Sequence, residues 1–297
     1  MYVTIQNEYL TVKIEDEGAQ LASIRDSKGV EYLWQGDPAI WARRAPLLFP
    51  IIARLKDNSY LLNGVSYSIP THGFCRSAPF RVTEESRNEV TFLYEDTEET
   101  RKAYPFSFAL SVTYTLEGNR LTKTHHVTNR SEEPMLYELG GHDGYRAPLA
   151  EGERMSDYAI RLPGVGEITP YGMDENKMIT PKTETHHLEN GRMPLKPSAY
   201  GLDTIILDQL PERRAMLVDG KDRVRVCVEF SDFPYLGVWT ADKDFDTNYV
   251  CIEPWTTLPD AVFVGRELGE KAGIRRLEPG QSETLAYTMT FFGEDDD

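Results

Sequence analysis

Three cysteines in 297 residues are too few, and too irregularly placed, to build a disulfide framework. Cys75, Cys227 and Cys251 lack metal-type spacing, and such a sparse, odd set fits a reducing compartment. Long apolar runs are missing too: no window approaches the ~20 continuous apolar residues of a membrane span. The opening residues, MYVTIQNEYL, contain no basic segment followed by an apolar one, so no signal peptide is expected and the implied location is cytoplasmic. Positive charge is in deficit. There are 32 Lys and Arg against 48 Asp and Glu, for a formal net charge of −16. Such a surface repels phosphate backbones and anionic lipid, which argues against nucleic-acid and membrane partners. Helical periodicity is scarce, and only GDPAIWARRAP and EKAGIRR have room for a helical turn or two.

What the chain does have is alternation. In FSFALSVTYTLEGNRL, Phe106, Phe108, Leu110, Val112, Tyr114 and Leu116 alternate with small or polar residues, as a strand with one buried face requires. Gly118-Asn119 then supplies a turn. Shorter runs of the same kind recur, among them YLTVKI, EVTFLYED, TIILDQL, RVRVCVEFS, YLGVWTA, YVCIEPW and TLAYTMTFF. Gly, Pro, Asn and Asp separate them. Many short strands without regular strand–helix alternation predict an all-β, antiparallel sandwich or barrel-like architecture. Residues 150–200 are richer in Pro, Gly and charge and read as loops and short hairpins, not a linker. One domain over 1–297 is expected, with 293–297 (GEDDD) a frayed acidic tail.

Four stretches place protonatable or cationic residues beside apolar runs: PLLFPIIARLKDNSY (46–60), THGFCR (71–76), GGHDGY (140–145) and CIEPWTTLPD (251–260). Rigid strands often deliver functional side chains into loop-lined clefts in this way. His125-His126 and His186-His187 do not make a metal site, because neighbouring side chains in a strand face opposite ways.

Taken in order, these stretches, with GLDTIIL and DFPYLGVWT, resemble the aldose 1-epimerase (galactose mutarotase-like) family, in its shorter bacterial branch. The likeness runs over nearly the whole chain. It implies a large antiparallel β-sandwich (the supersandwich), no metal and no organic cofactor. It also implies an isomerase that interconverts the α and β anomers of an aldose by opening and reclosing the hemiacetal ring. A general base and a general acid on opposite sides of the acetal carbon are expected.

By motif position, Glu253 resembles the base, a carboxylate expected to be ionised at its ordinary pKa near ~4.3. His142 resembles the acid that protonates the ring oxygen. His72 and Arg54 resemble the sugar-orienting pair, and Asp203 the aspartate that accepts hydrogen bonds from sugar hydroxyls. Phe74 and Trp239 are candidate cleft walls, although core packing explains an aromatic in HGF or GVWT as well. Departures from the family's pattern are Ala53 before Arg54, Asp143 after His142, and a 256–260 stretch without glycine; they bear on substrate preference and on loops at 143–148 and 256–260.

Three rival readings stay open at this stage. A hexose-phosphate mutarotase would need a cationic cluster at the cleft, for which Arg43, Arg44, Arg76 and Arg146 are available. A glycoside hydrolase would pair Glu253 with Asp143, Asp203 or Asp260. A carbohydrate-binding or sensing protein would keep the cleft without the reaction. The expected partner is a small-molecule sugar, and the chain is expected to be a monomer or homodimer.

Overall fold

The computed structural model describes residues 1–195, 204–241 and 247–293, and all structural statements refer to these. Alternation becomes two large antiparallel sheets. One has nine strands, in the order Arg192–Pro194, Ala159–Arg161, Arg214–Val218, Val224–Glu229, Ser282–Phe291, Arg120–Asn129, Phe108–Glu117, Glu89–Glu95 and Arg81–Glu85. The other runs Thr204–Asp208, Tyr235–Trp239, Tyr249–Trp255, Gly140–Gly141 and Leu47–Leu48, with Asp143–Arg146 also paired to Tyr249–Trp255. A three-stranded sheet, Tyr2–Gln6, Leu10–Glu15 and Gln20–Asp26, completes the larger elements.

The nine-stranded sheet is polar on its outer face. There, Thr91 meets Thr113, Thr122 meets Thr288 and Thr128 meets Ser282 across neighbouring strands. Its inner face carries Leu110, Val112, Tyr114, Leu121, Val127, Leu285 and Tyr287, all buried, as the period-two reading of 106–116 requires. Gly118-Asn119 closes the hairpin between Glu117 and Arg120. His125 and His126 split between the faces as expected, the first buried and the second exposed.

The six-stranded sheet turns one face to this core and the other to a cleft. Leu236, Val238, Val250 and Ile252 join the main core cluster. Their alternates Trp239, Cys251, Glu253 and Trp255 face the other way, since successive strand side chains point oppositely. Two glycines make room for neighbouring rings, Gly141 between the two sheets and Gly237 within the second sheet. A Cβ at Gly141 would lie 2.2 Å from the Tyr287 hydroxyl, and one at Gly237 would lie 2.6 Å from the Trp255 ring.

Helical structure is sparser than, and placed differently from, the sequence-based expectation. GDPAIWARRAP forms turns, and EKAGIRR begins at the last residue of a single 3-10 turn, Leu268–Glu270. The α-helix among the described residues is Glu98–Ala103, in which Thr97 accepts a hydrogen bond from the Thr100 amide in a capping box. With so few residues it carries no apolar period to read. Among the described residues, no helix is long and apolar enough to cross a membrane.

Candidate active site

The register of the second sheet sets Gly140 opposite Trp255 and Asp143 opposite Ile252. His142 and Glu253 therefore stand across from one another on adjacent antiparallel strands, both on the cleft face. Their closest atoms, His142 Nε2 and Glu253 Oε2, are 3.5 Å apart. Residues 143–146, expected as loop, form the strand that enforces this juxtaposition. The two groups stand side by side on the cleft face.

His142 is held by rings. Trp41 stacks on it with centroids 5.1 Å apart, and Trp239 meets it edge-on at 5.3 Å. The segment carrying Trp41 is tied to the sheet: Trp34 Nε1 donates to the Trp41 carbonyl, and the Gly144 amide donates to the Arg44 carbonyl. His142 and Glu253 are only 7% and 1% exposed. Burial pushes the imidazole down to about 3, with the charges of Arg76 and Arg43 adding. Burial likewise raises Glu253 well above the usual carboxylate range; the Asp143 charge adds to this and Trp255 opposes it. The carboxylate of ordinary pKa expected from the sequence is thus replaced by a pair whose two neutral forms are favoured, and which keeps one proton between its members over a wide pH range.

His72 approaches His142 edge-on at 5.4 Å. Its Nδ1 accepts a 3.1 Å hydrogen bond from the Ala53 amide, and its own amide donates to the Ala53 carbonyl at 2.7 Å. An imidazole accepting at Nδ1 carries its proton on Nε2, so His72 is preset as a donor. Burial, then the charges of His142, Arg76 and Arg43, keep it neutral by lowering its pKa.

These residues line a cleft of about 300 Å³ whose walls include Trp41, Arg43, Arg54, His72, Arg76 and Trp239. That volume is at the low end of small-molecule sites, which span ~300–1,000 Å³. Arg54 lines the same cleft from an exposed position. Phe74 does not line it: its ring packs on Tyr104 and Phe108 in the core, at 6.3 and 6.1 Å, because the turn after Gly73 sends the two neighbouring side chains in different directions. Asp203 lies outside the described residues. Of the arginines available for a cationic cluster, Arg43 and Arg76 line the cleft; Trp41, in the GDPAIWARRAP stretch, also lines it, and no spacing rule marks it as a cleft residue.

Two other carboxylates considered from the sequence, Asp143 and Asp260, are occupied elsewhere. Asp143 faces the sandwich interior, 3.6 Å from the fully buried Lys123 ammonium. Asp260 pairs with Lys271 at 2.7 Å and accepts the Lys56 amide at 2.8 Å. Lys271 also pairs with Glu138 at 2.5 Å, and Glu138 accepts the Ile52 amide at 2.6 Å. This buried triad clasps the 52–56 loop to the 256–260 loop, and so holds Ala53 and Arg54 at the cleft. It has no local sequence pattern.

One donor atom each from His142, Cys251 and Glu253 lies within 4.8 Å of the others, so the trio has the composition to hold a divalent ion. Burial raises the Cys251 thiol well above its usual range, and a metal would have to displace that proton.

Comparison with known proteins agrees with this architecture. The aldose 1-epimerase family model matches residues 1–290. The chromosomal LacX protein of Lactococcus lactis subsp. lactis is 33% identical over 98% of this chain and 99% of its own length. The crystal structure of a galactose mutarotase related enzyme from Lactobacillus acidophilus superposes with a TM-score of 0.91 at 33% identity, covering 100% of this chain and 99% of the other. A galactose mutarotase-like protein from Lactobacillus casei ATCC 334 gives 0.90 at 28% identity, covering 98% and 100%. The antiparallel two-sheet sandwich is the fold of these galactose mutarotase-like proteins, and the chain belongs to the aldose 1-epimerase family.

Proposed function

We propose that this protein is a mutarotase that interconverts the α and β anomers of an aldohexose, with Glu253 as the base and His142 as the acid. The observation that carries this reading is the 3.5 Å separation of His142 Nε2 and Glu253 Oε2 in a cleft of sugar size. The anomeric and ring oxygens of a pyranose share one carbon, so the groups that serve them must be neighbours.

In the forward step the pair reacts from the form in which its one proton sits on His142: the Glu253 carboxylate takes the proton of the anomeric hydroxyl and His142 Nε2 donates one to the ring oxygen. The C1–O5 bond breaks as C1=O1 forms. Rotation about C1–C2 presents the other face of the aldehyde. O5 then attacks, His142 takes back its proton, and Glu253 returns one to O1. The pair begins and ends with one proton, which matches a site whose burial favours neither a doubly protonated nor a proton-free state. In this reading His72 Nε2–H and Arg54 hold the hydroxyls and the ring-opened oxygen.

A two-carboxylate hydrolase has less support. Among the described residues lining the cleft, Glu253 supplies the carboxylate, while Asp143 and Asp260 are committed to buried lysines. Anomer exchange followed by magnetisation-transfer NMR on a panel of aldoses tests the proposal. Catalysed exchange is expected; rates equal to the uncatalysed background for every sugar would overturn it.

A further inference from the structure

Three donor side chains of different chemistry share one face of two adjacent strands. Gly140 pairs with Trp255 and Asp143 with Ile252, so His142 stands opposite Glu253. Cys251 precedes Glu253 by two residues and therefore points to the same face. Its own partner in that register is Gly144, so no side chain stands opposite the thiol on the strand that follows His142. As a result, one donor atom from each of His142, Cys251 and Glu253 lies within 4.8 Å of the other two, with His142 Nε2 and Glu253 Oε2 at 3.5 Å. Bonds of ~2.0–2.3 Å to a tetrahedral metal set donor atoms about 3.3–3.8 Å apart. The imidazole and the carboxylate already have that spacing, and the thiol lies at most about an ångström beyond it. His142 and Glu253 line the cleft, so an ion reaches them from solvent and keeps a fourth corner open toward it.

From this geometry we infer that His142, Cys251 and Glu253 form an inhibitory zinc site, in which the ion silences the catalytic pair by binding the atoms that carry its protons. The inference rests on the mutarotase reading of His142 and Glu253 and adds a form of regulation to it. Donor chemistry selects the ion. A thiolate with an imidazole and one carboxylate suits zinc, whereas calcium and magnesium take oxygen donors. Charge selects it too. One Zn2+ displaces the single proton shared by His142 and Glu253 and the proton of the Cys251 thiol, and both protons leave to solvent. The trio carries no net charge before the exchange and none after it, as its burial requires. The effect on the reaction follows. Nε2 and Oε2 each commit to the ion the lone pair that would accept a proton, so neither serves the ring oxygen or the anomeric hydroxyl. Three protein ligands and an open corner are also the layout of catalytic zinc sites, and the sign of the effect on exchange separates the two.

The test follows anomer exchange by magnetisation-transfer NMR as Zn2+ is titrated into the full chain, each variant being compared with its own metal-free rate. Zn2+ binding is measured by calorimetry in parallel. Co2+ serves as a spectroscopic probe, since a thiolate ligand gives it a near-ultraviolet charge-transfer band. The wild type is expected to lose exchange at micromolar Zn2+, to regain it on adding a chelator, and to show the band. Cys251→Ala and Cys251→Ser are expected to lack the band and to lower Zn2+ affinity by about 100-fold or more, the upper end of what losing even a partner outside the ligand set costs. Cys227→Ala, in the nine-stranded sheet, should behave as the wild type. Exchange unaffected by Zn2+, exchange raised by Zn2+, or inhibition that survives the loss of Cys251 overturns the inference and leaves the mutarotase reading intact. Cys251-dependent zinc binding without exchange of any sugar upholds the site and removes the mutarotase reading instead.

Discussion

Tyr287 donates a 2.5 Å hydrogen bond to Asp143, the residue that follows His142 in its strand. Asp143 is thus gripped from the sandwich interior by Tyr287 and Lys123 while its neighbour faces the cleft. Its charge also helps raise the proton affinity of Glu253, after burial. Removing the buried pair together, in Lys123→Met with Asp143→Asn, avoids stranding a lone ammonium and keeps an acceptor for Tyr287. The alkaline limb of kcat/KM should then move to lower pH, because Glu253 gives up its proton more easily. An unmoved limb would show that Asp143 only positions the strand.

Glu253→Gln keeps the shape of the cleft floor and removes the base. Anomer exchange should fall by about 10²–10⁴-fold, the usual contribution of a general acid or base, while sugar affinity stays near normal. Exchange persisting at the wild-type rate would remove Glu253 from the mechanism, and loss of binding without loss of turnover would make it a substrate anchor.

Where side chains alternate, the fold is legible in the sequence. The 106–116 pattern matches the buried face of Phe108–Glu117 residue for residue from Phe108 onward. The edge strand Arg81–Glu85 is exposed throughout and carries no such pattern. At the site, the chemistry of His142 and Glu253 is legible from motif order, but their opposition across one ladder depends on register, which no local pattern encodes. Phe74 shows the limit for aromatics: a ring beside a site motif fills core or cleft equally well, and here it fills the core. Lys271 shows the limit for charges, since three ionised groups distant in sequence meet only once the loops are folded.

The pH dependence follows from the signs of two shifts. A second proton joins the pair only near the lowered value of His142, about 3, and the last proton leaves only well above the usual carboxylate range. The free enzyme's kcat/KM should therefore be level through neutral pH, with its acid limb far below the ~6.5 of an ordinary histidine. Trp41→Ala opens one face of His142 to water and should move that limb upward. A wild-type limb already centred near 6.5 would contradict the dry site.

Lys271→Met leaves Glu138 and Asp260 unpaired in the interior. Breaking a buried ion pair from one side costs about 3–5 kcal/mol, and urea unfolding should show a loss of that size. The 52–56 loop would lose its anchor through Ile52 and Lys56, so KM should rise more than kcat falls. A loss below ~1 kcal/mol would mean that the triad adds little to stability.

Acid sensitivity of the fold is a separate consequence of buried imidazoles. His125 is fully buried against Tyr287 and Phe233, its Nδ1 3.3 Å from the Leu285 carbonyl. Burial, then the Lys123 charge, lowers it to about 3. A base whose folded pKa is depressed binds its proton preferentially in the unfolded chain, so stability is fully present above ~6.5 and declines as pH falls toward 3. At pH 4.5 this one group should already cost about 2–3 kcal/mol relative to pH 7.5. His125→Phe removes the titrating group from an aromatic environment that tolerates a ring. The difference in unfolding free energy between pH 7.5 and 4.5 should shrink by roughly that amount in the variant. His72 and His142 would still contribute, so the slope should lessen without vanishing, and an unchanged slope would assign acid lability to other groups.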